Sequence, residues 1–409
     1  MTVDSARVIA DLRELAKRTG DSGGAQRLCW GETWRSARRF VAELLGELGL
    51  EVRSDRAGNA WALLEGTDPQ AGTVAVGSHI DSVPDGGWLD GALGVMAAVG
   101  VLRAAAAERP PYSVLLIDWA DEEGARFGRS LFGSSAWAGT FDPAELADAV
   151  DADGRSAAEV LAESGVALDD LGSPEPGPDP IPPFDAYLEL HIEQGPVLEA
   201  EGLPVSAVAG CAGVERHRLR FGGQASHAGT TPMDARRDAG LAAAETALAV
   251  ERIADEHGGV GTTGQAALHP NIPTAVAGAA ELAIDLRHPE AAALERMWAE
   301  TQDAARQAAT GRSCELTEEL IWRIEPIPFD ERLVAIAAEE ARAAGGRSEP
   351  LMSGALHDAA EVARRARAAM VFCPSKAGLS HAAAEDTDEA DLELAIGVFG
   401  RVVARALAG

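Results

Sequence analysis

The sequence predicts an α/β protein with a mostly parallel central sheet flanked by helices. Three apolar runs, at 73–77, 113–119 and 186–191, have the short length and the bounding turn residues that are typical of buried strands. An Ala-rich stretch at 91–108 has the composition of a helix and separates the first two runs. Strands that alternate with helices along a chain favour a parallel sheet with helices on its faces.

The elements outside these runs fit the same plan. Residues 1–20 have the pattern of an amphipathic helix and lack the basic-then-apolar order of a signal peptide. Residues 171–184 are rich in Pro and Gly, which predicts a surface connection. After residue 328, Ala-rich helical segments return around one further apolar strand, 369–373. Both ends of the chain therefore belong to the same predicted domain.

A different pattern predicts a second, inserted domain. Period-two alternation at 213–223 and 274–288 indicates half-buried strands, and 313–328 closes the set. Helical patterns at 233–257 and 289–310 lie between them. The order strand, helix, strand, strand, helix, strand is that of a small ferredoxin-like α+β sandwich. We therefore predict a main α/β domain formed by residues 1–206 and 327–409, with an α+β domain inserted at 207–326.

The composition and net charge of the chain indicate which binding partners and which cellular compartment to expect. The chain has 409 residues, 46% of them hydrophobic, and a formal net charge of -30 that is spread along its length. Such a charge repels nucleic acid and anionic membranes, so neither is expected as a partner. No apolar stretch is long enough to span a bilayer. The four cysteines are scattered, which fits a reducing compartment, and we predict a cytoplasmic protein.

Polar side chains follow each predicted strand of the main domain. The residues concerned are His79, Asp81 and Asp90 after the first run, Asp121, Glu122 and Glu123 after the second, His191 at the end of the third, and His381 after 369–373. Parallel strands place their carboxyl ends at one edge of the sheet, where such folds bind ligands. The sequence therefore predicts that these residues meet.

Three histidines with several carboxylates have the chemistry of a divalent-metal site. The number of donors exceeds what one tetrahedral ion needs, so two ions that share Asp90 are the economical interpretation. Asp81 would accept the second imidazole N–H of His79 and fix its tautomer. Taken singly, His79 and Asp90 are also ordinary loop residues, and Glu122 with Glu123 would suit the first turn of a helix. Their shared position after strands favours the metal interpretation.

These residues lie in segments that resemble the carbamoylase and allantoate-amidohydrolase branch of the two-metal aminopeptidase and amidohydrolase superfamily. The matching segments include GSHIDSVPDGGWLDGALGV, DEEGARFGRSLFGSSAWAG, LELHIEQGPVLEAEG, GQASHAGTTPMDARRDA, AIDLRH, SGALHDA and PSKAGLSH. The resemblance runs from residue 22 to near the C-terminus and implies a zinc-aminopeptidase-like catalytic domain. It also implies that the inserted domain is a lid or dimerisation domain.

The resemblance implies a role for each donor. One metal would be bound by His79, Asp90 and His191, and the other by Asp90, Glu123 and His381. Glu122 would be the general base. Related peptidases have a carboxylate where this branch has a histidine, here His191, and this difference disfavours an aminoacylase or dipeptidase.

The resemblance also implies a substrate site. His227 on the inserted domain would polarise the scissile carbonyl, and Gln194, Arg236 and Arg287 match positions that bind substrate or support the site. Arg287 is the candidate for a substrate carboxylate. His357 and the adjacent aspartate would support the site or cap a helix.

Three positions depart from the family pattern. Thr274 stands where asparagine is usual, thirteen residues before Arg287, with Asn271 nearby. Leu356 replaces a usual glycine, and the segment after His381 lacks a common proline. None of these changes affects a predicted metal ligand. They therefore bear on the identity of the substrate and not on the predicted type of reaction.

The predicted function is metal-dependent hydrolysis of the C–N bond of an N-carbamoyl-L-amino acid or a related small anionic ureido or amide acid. Two divalent ions are expected, zinc or manganese, or alternatively cobalt or nickel. The resemblance implies a homodimer. The alternatives are allantoate or ureidoglycolate hydrolysis and, in a different class, a non-catalytic metal-binding scaffold on the same fold. The presence of both Glu122 and Glu123 argues against the scaffold.

Overall fold

The computed structural model describes residues 1–172, 177 and 179–406. Part of the predicted surface connection, residues 173–176 and 178, lies outside this range. Within the described residues the chain forms the following α-helices: α1 Ser5–Thr19, α2 Glu32–Gly46, α3 Ala92–Glu108, α4 Phe132–Ala138, α5 Ala157–Ala162, α6 Val197–Glu201, α7 Ala239–His257, α8 Ala291–Gly311, α9 Glu331–Ala343, α10 Asp358–Val362 and α11 Glu389–Ala406. Short 3-10 turns occupy Pro143–Leu146, Leu168–Gly172, Met233–Ala235 and Lys376–Gly378.

The strands of the same residues form two larger sheets and two small pairings. In chain order the strands are β1 Gly20–Asp21, β2 Gly24–Ala25, β3 Arg53–Ser54, β4 Ala60–Leu64, β5 Thr73–His79, β6 Ser113–Trp119, β7 Ala186–Ile192, β8 Ser206–Cys211, β9 Gly213–Gly222, β10 Ser226–His227, β11 Val260–His269, β12 Ala275–Val276, β13 Ala279–His288, β14 Glu315–Ile324, β15 Ile327–Pro328, β16 Leu351–Ser353 and β17 Arg367–Cys373.

The chain divides into two compact units. The first consists of Met1–Gly210 and Pro328–Gly409, and the second of Cys211–Ile327. These boundaries lie within a few residues of those expected from the change in sequence pattern at 207 and 326.

A mostly parallel sheet forms the centre of the first unit, which confirms the predicted fold class. Its strand order is β15-β8-β17-β7-β5-β6-β4-β3, and β16 pairs with β8. The four strands from β17 to β6 are parallel to one another, whereas β3, β4 and β8 pair antiparallel. The carboxyl ends of β5, β6, β7 and β17 consequently lie along one edge, as the alternation of strands and helices predicts.

Helix α3 is buried on nearly every side, because its sequence is apolar all round rather than along one stripe. Gly94 allows it to approach the sheet closely. A Cβ at this position would lie 2.6 Å from the Cβ of Ser78 and 2.7 Å from the carbonyl oxygen of Leu190. The helix therefore packs directly across β5 and β7 and supports the strand ends that follow.

The second unit has the predicted strand and helix order, but its strand β11 lies between the predicted segments 233–257 and 274–288 and was not itself predicted. Its four-stranded antiparallel sheet has the order β11-β13-β9-β14. Helices α7 and α8 bury one face through an apolar cluster that includes Leu219, Leu282 and Met297. On β9, arginines at 216, 218 and 220 alternate with these buried residues, so the opposite face of the sheet is charged.

Two details of the predicted elements were wrong. The helix predicted over 233–257 begins only at Ala239, because the carboxylate of Asp238 caps it by accepting the N–H of Leu241 at 3.2 Å. The segment 274–288 forms two strands rather than one, β12 and β13. No helix in the described part of the chain is long and apolar enough to cross a membrane.

Candidate metal centre

Two sets of donor atoms lie at the carboxyl edge of the central sheet. The first consists of His79, Asp90 and His191, and the second of Asp90, Glu123 and His381. Within each set the candidate ligand atoms all lie within 4.8 Å of one another. These are the same two groups that the family resemblance implies, and their members are up to 302 positions apart in the sequence.

Asp90 lies between the two sets and presents one oxygen to each. Its Oδ1 is 3.8 Å from His79 Nε2 and 3.2 Å from His191 Nε2. Its Oδ2 is 3.2 Å from His381 Nε2, which in turn lies 3.3 Å from Glu123 Oε2. A carboxylate held in this way can bridge two cations.

The surroundings of the His191 imidazole fit the binding of a cation. The imidazole is 1% exposed and its Nδ1–H donates to the carbonyl oxygen of Ile192 at 2.9 Å, so Nε2 bears a lone pair. Nε2 has no hydrogen-bond partner among the described residues and faces the Asp90 carboxylate. With a neutral His191 ring, two electron-rich atoms are buried against each other, and a cation between them would remove the repulsion.

His79 is oriented in the same way by Asp81, which lies two positions later in the chain. Its Nδ1 lies 3.3 Å from the main-chain carbonyl oxygen of Asp81 and 3.5 Å from the Asp81 carboxylate, which leaves Nε2 toward Asp90. The Asp81 carboxylate also accepts the backbone N–H groups of Glu122 and Glu123, at 3.4 and 3.3 Å. Asp81 thus joins the loops after β5 and β6, and its contact to the imidazole is mainly through its carbonyl.

Glycines make these loop contacts sterically feasible. Gly91 has φ +62°, and a Cβ at this position would lie 2.4 Å from both His79 Cε1 and the His79 carbonyl oxygen. Gly87 lies against Glu385 and would place a Cβ 2.0 Å from its carboxyl carbon. Larger residues at either position would force apart the segments that bring Asp90 to His79.

Glu122 lies beside the first donor set but is not part of either. Its side chain is largely buried, and Oε2 is 3.7 Å from His79 Nε2. Burial raises the pKa of Glu122 well above its ordinary value, His79 opposes the shift, and Asp358 adds to it. A carboxyl group with a raised pKa in this position is suited to accept and release a proton.

Gln194 supports the bridging carboxylate. Its Nε2 donates to Asp90 Oδ2 at 3.0 Å and to the hydroxyl of Ser380 at 3.1 Å. The Ser380 hydroxyl lies within hydrogen-bond distance of Asp90 Oδ2 and of Glu385, at 3.1 and 3.0 Å. The amide nitrogen of Gln194 is therefore committed to the donor sets.

Glu385 and Arg27 are two neighbours of the site that the sequence did not single out. Glu385 is 2% exposed and accepts the backbone N–H groups of Leu89 and Asp90, at 3.1 and 2.9 Å. Arg27 is fully buried and donates its Nε–H to the carbonyl oxygen of Ile80 at 2.7 Å. In the sequence, Glu385 is marked only by its position four residues after His381, and it belongs to no distinctive motif.

We expect Glu385→Gln to weaken metal binding about 10- to 100-fold, because this carboxylate fixes the loop that presents Asp90. Calorimetric titration of the metal-free variant with manganese provides the measurement. Glu389→Gln on the exposed start of α11 is the matched control. An affinity equal to that of the unmodified protein would remove Glu385 from the support of the site.

Metal binding should also depend on pH through His381. The hydrogen bond that the His381 imidazole donates to Asp90 raises the pKa of His381 to about 9, against the opposing effect of burial. Below that pH, an entering cation must displace the proton, so affinity should fall as pH decreases, by up to about tenfold per pH unit for each proton released. Above about pH 9 this dependence should disappear. Manganese titrations from pH 6.5 to 9.5 that gave a constant affinity would contradict the expectation.

The predicted residues of the second unit lie around the loop that follows β9. His227 is exposed, and its Nδ1 accepts the N–H of Gly229 at 3.0 Å. Arg236 donates to the carbonyl oxygens of Thr231 and Ala228, at 3.1 and 2.6 Å, and so holds this loop. The carbonyl oxygen of Thr274 accepts the N–H of Ala228 at 2.9 Å. Arg236 and Thr274 therefore shape the His227 loop.

Asn271 and Arg287 occupy different surroundings in the same unit. Asn271 is exposed and has φ +52°. Arg287 lies on β13 and pairs with Asp285, with Nε 2.7 Å from Oδ1. The guanidinium is partly exposed on the sheet face that the helices do not cover.

His357 and Asp358 lie behind the first donor set. The His357 ring contacts the edge of His191 with centroids 4.5 Å apart, and its Nε2 is 3.0 Å from the hydroxyl of Ser353. Burial lowers the pKa of His357 well below its ordinary value, and His191 adds to this effect. Asp358 is fully buried at the start of α10. His357 and Asp358 are 1% and 0% exposed.

Comparisons with known proteins show the family to which the chain belongs. Residues 75–405 match the model of peptidase family M20/M25/M40. An N-carbamoyl-L-amino acid amidohydrolase of Geobacillus stearothermophilus is 37% identical over 386 residues, which cover 94% of this chain and 93% of the relative. An allantoate amidohydrolase of Bacillus subtilis is 33% identical, over 95% and 94% of the two chains.

A solved structure from Burkholderia multivorans, described as an amidase of the hydantoinase/carbamoylase family, superposes with a TM-score of 0.91. It is 33% identical, and the alignment covers 100% of this chain and 99% of that chain. The chain therefore belongs to peptidase family M20/M25/M40 and, within it, to the hydantoinase/carbamoylase family of amidohydrolases.

Proposed function

We propose that this chain hydrolyses the C–N bond of the carbamoyl group of an N-carbamoyl-L-amino acid, with two divalent cations as cofactors. The observation that carries this proposal is the pair of donor sets that share Asp90 beside the buried Glu122. The 37% identity to an N-carbamoyl-L-amino acid amidohydrolase supports the choice of substrate class.

In this proposal His79, Asp90 and His191 hold one cation, and Asp90, Glu123 and His381 hold the other. The mixture of imidazole and carboxylate donors suits zinc or manganese, and also cobalt or nickel. When bound, such cations polarise a carbonyl oxygen and lower the pKa of a water molecule from about 15.7 toward about 7.

Glu122 moves the proton that the reaction requires. Its carboxylate accepts a proton from the attacking water and passes it to the departing nitrogen, so that ammonia leaves rather than an amide anion. The carbamate that remains on the amino acid then loses carbon dioxide.

Two residues of the second unit complete the proposal. Because His227 Nδ1 accepts a backbone N–H, a neutral His227 ring carries its proton on Nε2 and can donate it to the scissile carbonyl oxygen. One such donor contributes about 3 to 4 kcal/mol to transition-state stabilisation. Arg287 is proposed to bind the substrate carboxylate. The attraction between these two nearby charges outweighs the repulsion from the distant charges of a protein with net charge -30. A homodimer is also part of this proposal.

The test is ammonia release from metal-stripped protein reloaded with manganese or zinc. The panel contains N-carbamoyl-L-amino acids, one N-carbamoyl-D-amino acid, allantoate and ureidoglycolate. We expect the largest kcat/KM with an N-carbamoyl-L-amino acid. Preference for allantoate would favour the activity of the Bacillus subtilis relative instead. No release from any member, with both metals bound, would favour the scaffold alternative.

A further inference from the structure

Arg27 is a buried cation whose terminal nitrogens have no hydrogen-bond partner. The residue is 0% exposed and follows β2 in the chain. Its Nε–H donates to the carbonyl oxygen of Ile80 at 2.7 Å, but neither Nη1 nor Nη2 has a partner among the described residues. Burial of a charged group in this way is costly unless charges of the opposite sign lie nearby.

Carboxylates of the metal centre supply these opposite charges. Burial lowers the pKa of Arg27, and this effect is opposed by the negative charges of Asp90, Glu385, Asp81 and Glu123. An arginine side chain remains protonated in proteins. Arg27 is therefore a fixed positive charge in the electric field of the carboxylates at the metal centre.

The imidazoles of the centre are not a fixed charge of this kind. Asp90 and Glu123 approach imidazole nitrogens at 3.2 to 3.8 Å. An imidazole binds a metal only in its neutral form, so these contacts lose any positive charge when cations bind. The guanidinium of Arg27 keeps its charge in the metal-free and in the metal-loaded protein.

Backbone hydrogen bonds attach the Arg27 segment to the loop that follows β5. The N–H of Arg27 donates to the hydroxyl of Ser82 at 3.1 Å, and its carbonyl oxygen accepts the N–H of Ser82 at 3.1 Å. Ala25 and Gly86 exchange two further backbone hydrogen bonds, at 2.8 and 3.2 Å. None of these four bonds involves the Arg27 side chain, so we expect the loop to stay in place when that side chain is changed.

A fixed cation at this position acts in opposite ways on the two states of the protein. In the metal-free protein it offsets the mutual repulsion of the carboxylates, whereas in the loaded protein it repels the bound cations. Its charge therefore stabilises the metal-free site and lowers the affinity for metal. The cost of burying the guanidinium is present in both states and cancels from the metal affinity.

We propose that Arg27 is a positioning residue, whose charge holds the carboxylates of the metal-free centre together and thereby sets the cation affinity below its maximum. This inference rests on the cation binding of the proposed function but not on its substrate. A charge that weakens metal binding must, by linkage, be less favourable in the loaded protein by the same factor.

Two substitutions separate the charge of Arg27 from its hydrogen bond to Ile80. Arg27→Gln removes the charge and keeps a side-chain N–H at the same distance along the chain as Nε. Arg27→Lys keeps the charge and places a methylene group there. Arg103→Gln is the matched control, because Arg103 pairs with Asp11 on α1.

The test is calorimetric titration of each metal-free protein with manganese at one pH. We expect Arg27→Gln to bind manganese at least about fivefold more tightly than the unmodified protein, at the low end of usual coupling between sites, and Arg27→Lys to stay within about twofold. Arg103→Gln should leave the affinity unchanged.

A role confined to the hydrogen bond predicts a different result, with an unchanged affinity in Arg27→Gln and a lower affinity in Arg27→Lys. That pattern would overturn the proposal, as would a rise of equal size in both variants. Absence of manganese binding by the unmodified protein would instead overturn the proposed metal centre, and this inference with it.

Thermal unfolding with and without manganese is the second readout. The rise in Tm on adding manganese should be larger for Arg27→Gln than for the unmodified protein, because tighter binding to the folded state stabilises it more. A smaller rise would contradict the proposal. If Arg27→Gln folds in neither form, Arg27→Lys decides, because an unchanged affinity supports the role of the charge and a lower affinity refutes it.

Discussion

Replacement of Glu122 by Gln is expected to lower kcat about 10²- to 10⁴-fold while leaving metal binding nearly unchanged. Glutamine has almost the same shape but cannot accept a proton from water at neutral pH. The side chain is a member of neither donor set, although one of its oxygens lies 3.7 Å from His79 Nε2. The proposed role therefore predicts a loss of turnover without a loss of metal.

The measurement combines ammonia release with metal content determined by elemental analysis. Glu163→Gln, on the exposed turn before the 3-10 segment, is a control of the same chemical change away from the site. Full turnover in Glu122→Gln would refute the assignment of the general base. Loss of metal in this variant would instead show that Glu122 acts as a ligand.

The second large effect is expected for Asp90→Ala compared with His381→Ala. Asp90 contributes an oxygen to each donor set, so its removal should abolish both metal sites and turnover together. His381 belongs to one set only, and its removal should leave about one ion per chain. Since even residues that only support a ligand change metal affinity by about 10- to 100-fold, loss of a shared ligand should exceed that range.

Metal content after dialysis and the rise in melting temperature on adding manganese both report this difference. Each ion bound only by the folded chain adds about 2.7 kcal/mol of stability at a free concentration one hundred times its Kd. Asp90→Ala should lose this increment for both ions, and His381→Ala for one. Retention of two ions by Asp90→Ala would show that the carboxylate does not bridge them.

Much of the candidate centre was accessible from the sequence because parallel strands end at a common edge. The polar residues directly after apolar runs needed only this rule to be grouped, and the structure brings His79, Asp90 and His191 together as expected. The apolar pattern predicted the start of a helix less reliably where a capping residue lies inside the pattern. Asp238 ends the preceding loop and delays α7, although the apolar pattern extends back to residue 233.

The sequence by itself determined the alternation of strands and helices, the inserted sandwich and the group of polar residues at one sheet edge, because each depends on local periodicity or on strand direction. The division of these residues into two donor sets was implied by the family resemblance. Only the tertiary structure decided which oxygen of Asp90 faces which imidazole. It also decided that Glu385 holds the loop that leads to Asp90. That contact joins residues 296 positions apart, and nothing in the local pattern distinguishes Glu385 from the neighbouring Asp386. The physical reason is that a buried carboxylate is directed by backbone N–H groups supplied from a distant segment, which only the folded chain brings within hydrogen-bond distance.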